Sequence, residues 1–215
     1  REPMPALTQR VFSDSACAPW MDVLAFDYYD PFIGDYLESK SLFHYHIRQD
    51  PWEWGLTPEG LGGFLDAYAS LAGEKPVHIV ENGMCYACRD GKAEPRPDGA
   101  DRVEVLKAHL FECIRARNRG RPLEAYFYWT LSDNYEWGSF TPRFGMLAVD
   151  YEKGAKRSPL DIVGNNAAGA YRAIVQAFRA GDRDALKEAF RTDSYPLLFP
   201  NTPPIRETGP AGRPA

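Results

Sequence analysis

The chain predicts an α/β fold built on parallel strands. Three apolar runs of strand length recur along the sequence, and each is followed by a stretch with apolar residues at helical spacing. That alternation needs crossover connections, and crossovers lay successive strands parallel. The middle run sharpens the expectation. Val77-His78-Ile79-Val80 is mostly β-branched, leads into Glu81, and is followed by the turn signal Asn82-Gly83. A carboxylate is thus presented at the C-terminal mouth of a strand, where parallel α/β architectures place catalytic groups. The plainer alternative is a solvent-facing Glu at an ordinary strand end.

Taken in order, residues 1–20 are rich in Pro, Ser and Ala and read as an irregular segment. Arg1-Glu2-Pro3-Met4-Pro5 has neither signal-peptide character nor an initiator Met, and is expected to lie inside a longer reading frame. Met21 to Tyr29 is the first strand, stopped by Asp30-Pro31. Residues 32–56 read as a long aromatic loop containing His44-Tyr45-His46 and Trp52-Glu53-Trp54. The paired histidines suit loop packing better than metal ligation.

Thr57-Pro58-Glu59 opens the first helix with a capping Thr, an early Pro and an acid at the positive end of the dipole. Leu61, Phe64, Leu65, Tyr68 and Leu71 share its apolar face, and Gly73 ends it. A polar loop is expected from Glu81 to about residue 98. The second helix carries Leu106, His109, Leu110, Cys113 and Ile114 on its apolar stripe, with His109 satisfied and half-buried, and stops at Gly120 and Pro122. The third strand runs from Leu123 to Leu131, with Tyr126 and Phe127 filling the interior. A third helix spans about Asn166 to Ala180, with Tyr171, Ile174, Val175 and Phe178 inward. Asp182 caps a short helix to Phe190, and the Pro-rich tail from Pro196 is irregular. The organisation is therefore an irregular segment (1–20), an α/β body (21–181), and a short helix with a Pro-rich tail (182–215).

Composition narrows the function classes. Lysine and arginine number 25 against 30 acids, a net charge of -5, and no basic patch interleaves with aromatics, so nucleic acid is an unsuitable partner. No apolar run reaches the length of a membrane span. Cys17, Cys85, Cys88 and Cys113 are too sparse for a disulfide framework. Cys85-Tyr86-Ala87-Cys88 has the spacing of half a zinc site, but nothing completes it, so two free thiols in a loop are expected. Free thiols fit a reducing, cytoplasmic compartment.

Three stretches together resemble the glycoside hydrolase family 1 β-glycosidases. Val80-Glu81-Asn82-Gly83 is similar to that family's strand-seven motif. Tyr128-Trp129-Thr130-Leu131-Ser132-Asp133-Asn134-Tyr135-Glu136-Trp137 is similar to its strand-eight motif. Arg143-Phe144-Gly145, Val149-Asp150-Tyr151 and Lys156-Arg157 continue the likeness, which covers about residues 21 to 180. The resemblance implies the C-terminal part of a (β/α)8 TIM barrel, with about three βα units present and the N-terminal half of the barrel missing. It implies hydrolysis of β-O-glycosidic bonds with retention, releasing a terminal β-D-glycosyl residue. Its substrate would be a small β-glycoside or oligosaccharide, with no cofactor and no metal. Glu81 would be the nucleophile and Tyr29 its hydrogen-bond partner. Glu136 would hold sugar hydroxyls, Trp137 would donate its indole N–H to another, and Trp129 would form the floor under the ring. Trp54 would line the leaving-group site and Phe144 the far wall. Asp27 stands where the family has Asn beside the nucleophile, and a third carboxylate there raises a pKa by like-charge repulsion.

The residue types suit this chemistry. Retaining hydrolysis needs two carboxyls about 5–5.5 Å apart, one nucleophilic and one acid/base. Sugar recognition needs flat apolar faces and fixed acceptors, which Trp129, Glu136 and Trp137 supply at one strand end. The family's acid/base lies in an Asn-Glu-Pro motif, and this chain has none. Arg1-Glu2-Pro3 is too close to the first strand to serve. The alternative reading is therefore a non-catalytic carbohydrate-binding or scaffold remnant of such a barrel.

Overall fold

The computed structural model describes residues 21–29, 37–41, 44–47, 50–96, 98–136 and 138–191. Its centre is a parallel sheet in the order β1 (Leu24–Asp27), β4 (Val77–Glu81), β7 (Leu123–Tyr126). Leu24 pairs with Val77 and Asp27 with Glu81 across β1 and β4, while Val77 pairs with Leu123 across β4 and β7. Helix α1 (Pro58–Ala72) precedes β4 and helix α2 (Arg102–Asn118) connects β4 to β7. The alternation of the pleat sorts the side chains. Leu24, Val77, Ile79 and Leu123 point toward the helices and form one core with Leu61, Leu65 and Cys113. On the other face Ala25, Val80 and Glu124 are exposed, and the register shift after Leu123 turns Phe127 to that face as well.

The first and third strands are shorter than the apolar runs that encode them. Past Tyr126 the backbone leaves the regular ladder and makes single hydrogen bonds, Phe127 N–H to Ile79 O and Trp129 N–H to Asn82 O, each 2.9 Å. Thr130 and Leu131 then pair with residues 144–147. The run is apolar because both parts are partly covered, although only the first is strand. Phe127, expected to fill the interior of a barrel, lies on the sheet face away from the helices and is 55% exposed in this chain.

Helix boundaries follow local chemistry. Thr57 occupies the N-cap position of α1 without a side-chain cap bond, Pro58 starts the helix, and Gly73 closes it at φ +63°. Asp101 caps α2 by accepting from Val103 N–H and Glu104 N–H. Helix α3 (Ala167–Ala180) is capped by Asn166, and α4 (Arg183–Phe190) by Asp182 as expected. Phe178 departs from expectation, being 49% exposed. The buried stripe of α3 is Ala167, Ile174 and Ala177, and Phe178 lies one residue off it, under the Arg117 guanidinium at 5.9 Å.

Two regions read as loops contain hairpins. β2 (Leu37–Ser41) pairs antiparallel with β3 (His44–Ile47), which places His44 and His46 on a strand rather than in a loop. Downstream of Glu81, β5 (Tyr86–Arg89) pairs antiparallel with β6 (Lys92–Glu94) and with β8 (Pro142–Arg143). The signal for this hairpin was Asp90-Gly91, whose φ values of +50° and +69° suit the tight turn between twisted strands. Cys85 and Cys88 are free, and both are buried, Cys88 within β5. Two short strands, β9 (Val149–Asp150) and β10 (Lys156–Arg157), form a further antiparallel pair. No described helix is long and apolar enough to cross a membrane. The segments 1–20 and 192–215 lie outside the described residues, and with them Cys17 and the Pro-rich tail.

Candidate active site

The C-terminal ends of β1, β4 and β7 are drawn together by one buried side chain. Asn82, directly after Glu81, donates from Nδ2 to Tyr28 O at 2.9 Å and accepts from Tyr126 Oη–H at 2.7 Å. Its own carbonyl accepts from Trp129 N–H. Gly83 completes the approach. A Cβ there would stand 1.9 Å from the Trp129 carbonyl oxygen, so only glycine lets the two strand exits touch.

Glu81 and Tyr29 meet at this junction. The Tyr29 hydroxyl donates to Glu81 Oε2 at 3.1 Å. Burial, then repulsion from Asp27, and then from Glu136, push the Glu81 carboxyl above the usual range, against the pull of the Tyr29 hydrogen bond. Asp27, the ladder partner of Glu81, is itself raised by desolvation. Burial and the Glu81 carboxylate push the Tyr29 phenol upward, so it stays a donor. Asp27→Asn should therefore lower the Glu81 titration midpoint, read by carbon NMR of its carboxyl. An unmoved midpoint would mean that the two carboxyls are not coupled. Glu81 holds its proton more tightly folded than unfolded, so stability falls as pH rises from the ordinary carboxylate range through the raised native value. Asp27→Asn should reduce that fall.

Glu136 stands opposite, on the segment after β7. Its Oε1 accepts from Trp129 Nε1–H at 2.9 Å and from Asn134 Nδ2–H at 2.7 Å. A tight turn carries it, with Glu136 and Ser139 exchanging backbone hydrogen bonds and Gly138 at φ +84°. Trp129 and Glu136 are half-buried, which leaves ring face and carboxylate available to a ligand. Trp137 lies outside the described residues.

Phe144 and Trp54 sit behind this layer. They are 2% and 5% exposed and pack with Cys85, with Tyr29, Trp52 and Trp129 against them. The Tyr29 ring meets Trp54 and Phe144 edge-on at 5.8 and 6.2 Å. Both rings are buried and brace Tyr29. Burial pushes the Cys85 thiol up to about 12, so it behaves as a small apolar group there.

Several supporting residues escaped the sequence reading. Asp133, 5% exposed, accepts from Gly145 N–H and Val149 N–H and pairs with Arg143. Arg96 donates to Trp54 O at 2.6 Å and Asp98 Oδ2 at 2.6 Å. Arg102 is paired with Asp161, and both side chains are fully buried. Among the described residues no group of three His, Cys, Asp or Glu could hold a metal ion. The site thus sets a carboxylate held by a phenol near a second carboxylate held by an indole.

The site lies within a stretch shared with known proteins. The model for Glycosyl hydrolase family 1 matches residues 27–167. A β-galactosidase of Sulfolobus acidocaldarius is 36% identical over 124 residues, covering 56% of this chain and 23% of that protein. β-Glucosidase A of Thermotoga maritima is 34% identical over 102 residues, covering 46% and 22%. The solved structure of a family 1 β-glucosidase from Thermotoga maritima matches with TM-score 0.52 and 27% identity, over 73% of this chain and 35% of that one. The matched region thus spans under a quarter of those two relatives' length.

Proposed function

The chain belongs to glycosyl hydrolase family 1, and from that membership we propose that it is the nucleophile-bearing, C-terminal part of a retaining β-glycosidase barrel. Glu81 attacks the anomeric carbon and forms a glycosyl ester as the bond to the leaving oxygen breaks. That oxygen takes a proton from an acid supplied by the rest of the barrel. Water, deprotonated by the same group, then opens the ester and frees Glu81. Tyr29 holds the Glu81 carboxylate in line for attack. Glu136, held by Trp129 and Asn134, accepts hydroxyls of a terminal β-D-glycosyl residue, and the Trp129 ring underlies it. The aglycone leaves on the side of Trp54. The exposed sheet face bearing Val80 and Phe127 is where the remaining βα units close the barrel.

The observation that carries this reading is the Tyr29–Glu81 hydrogen bond set beside the Trp129–Glu136 hydrogen bond, both at the exits of parallel strands. A second reading, a sugar-binding remnant without turnover, is favoured by the lack of an Asn-Glu-Pro acid in this chain. The test is to supply a family 1 N-terminal half bearing that acid and follow product by proton NMR. The β-anomer should form first and mutarotate afterward. Prompt release of the α-anomer would overturn retention. Binding with no turnover would favour the remnant.

A further inference from the structure

We infer that Arg102 is the positioning residue that sets the Glu81 exit against the Trp129–Glu136 exit. This rests on the reading of those residues as the substrate-facing set. Arg102 is the first residue of α2, fixed there by the Asp101 cap, and it is completely buried. Its guanidinium reaches both strand exits at once. Nη1 donates to Met84 O at 2.7 Å, three residues after Glu81. Its two protons are shared with the Tyr128 hydroxyl at 3.0 Å, next to Trp129, and with Phe144 O at 2.5 Å. Nη2 donates to Arg143 O at 2.9 Å. Phe144 O also accepts from Thr130 N–H, so the fork lies one hydrogen bond from the segment that carries Glu136.

The far side of the fork is anchored independently. Nε donates to Asp161 Oδ2 at 3.0 Å. Asp161 Oδ1 is held by Val163 N–H and Asn165 N–H, and Asn165 returns to Asp101 through its side chain. The Tyr86 ring lies 4.9 Å from the guanidinium and its hydroxyl accepts from Arg102 N–H. A planar fork with five donors fits several fixed acceptors at once, whereas an ammonium is a single point with rotatable donors. Arg102 contacts neither Glu81 nor Glu136, so it acts through the backbone that carries them.

The test is hydrogen exchange by mass spectrometry on the full chain, segment by segment. In Arg102→Lys, amides of 82–86 and 143–147 should exchange about 10- to 100-fold faster, the scale of losing hydrogen bonds to a charged group. Amides in the middle of α1 and α3 should change far less, since local opening is not global unfolding. Tyr128→Phe, which keeps the ion pair and removes one acceptor, should affect the same two segments by a smaller factor. It also serves if Arg102→Lys does not fold. A uniform rise across α1, β4 and α3 in both variants would make Arg102 a general stabiliser and overturn the inference, as would unchanged exchange at both exits. A different assay decides whether Glu81 is the nucleophile. Sugar trapping can fail while the exchange pattern stands, and the reverse.

Discussion

Glu81→Gln should abolish covalent trapping and turnover together. A 2-fluoro glycoside with an activated aryl leaving group forms the glycosyl ester readily but loses it slowly, because the fluorine destabilises the positive charge of the second step. In the chain completed with an acid-bearing N-terminal half, the peptide containing Glu81 should gain one fluorinated glycosyl unit. Glutamine keeps an oxygen for the Tyr29 hydroxyl to donate to, at nearly the same size, so the junction around Asn82 and Gly83 should survive. What it loses is the negative charge that attacks. Turnover should fall by more than about 10⁴-fold, the scale on which enzymes lose rate with their nucleophile. Labelling that persists in the variant, or that maps to Glu136, would place the nucleophile elsewhere.

The sequence carried the frame better than the joints. Val77–Val80 was legible because β-branched residues before a turn signal have few other uses, and the Asp182 cap because a short acid before a helix is a local event. The Tyr86–Arg89 hairpin was missed although Asp90-Gly91 announced it, since the polar residues around the turn masked the buried stretch from Met84 to Cys88. Arg102 was invisible for a different reason. Its five acceptors come from Met84, Tyr128, Arg143, Phe144 and Asp161, up to 59 residues away, and four of them are backbone carbonyls or a hydroxyl with no charge to signal. An arginine at a helix start reads as solvated surface until the tertiary structure brings such acceptors around it. The close contact of Gly83 with Trp129 is of the same kind. Asn82-Gly83 reads as a turn, but the need for glycine comes from another strand.

The 215 residues alone should bind sugar weakly and turn over unactivated glycosides slowly if at all. Two physical terms act in the same direction. In the described sheet β1 and β7 are both edge strands, and Val80 and Phe127 leave apolar surface on the open face. Unpaired edges and exposed apolar side chains favour self-association, so the chain should be more soluble with its complement than without it. The chemical term is larger. Without a general acid the leaving oxygen departs unprotonated, and such help is typically worth about 10²–10⁴-fold. A dinitrophenyl glycoside has a leaving group stable enough to depart as the anion, so it should show the least deficit. A disaccharide should show nearly all of it. Measuring kcat/KM for both substrates, with and without the acid-bearing half, separates the two terms. Incomplete folding lowers both rates alike, whereas want of an acid lowers the disaccharide rate selectively. Efficient disaccharide cleavage by the chain alone would mean that a carboxyl already present, with Asp27 the first to examine, supplies the proton.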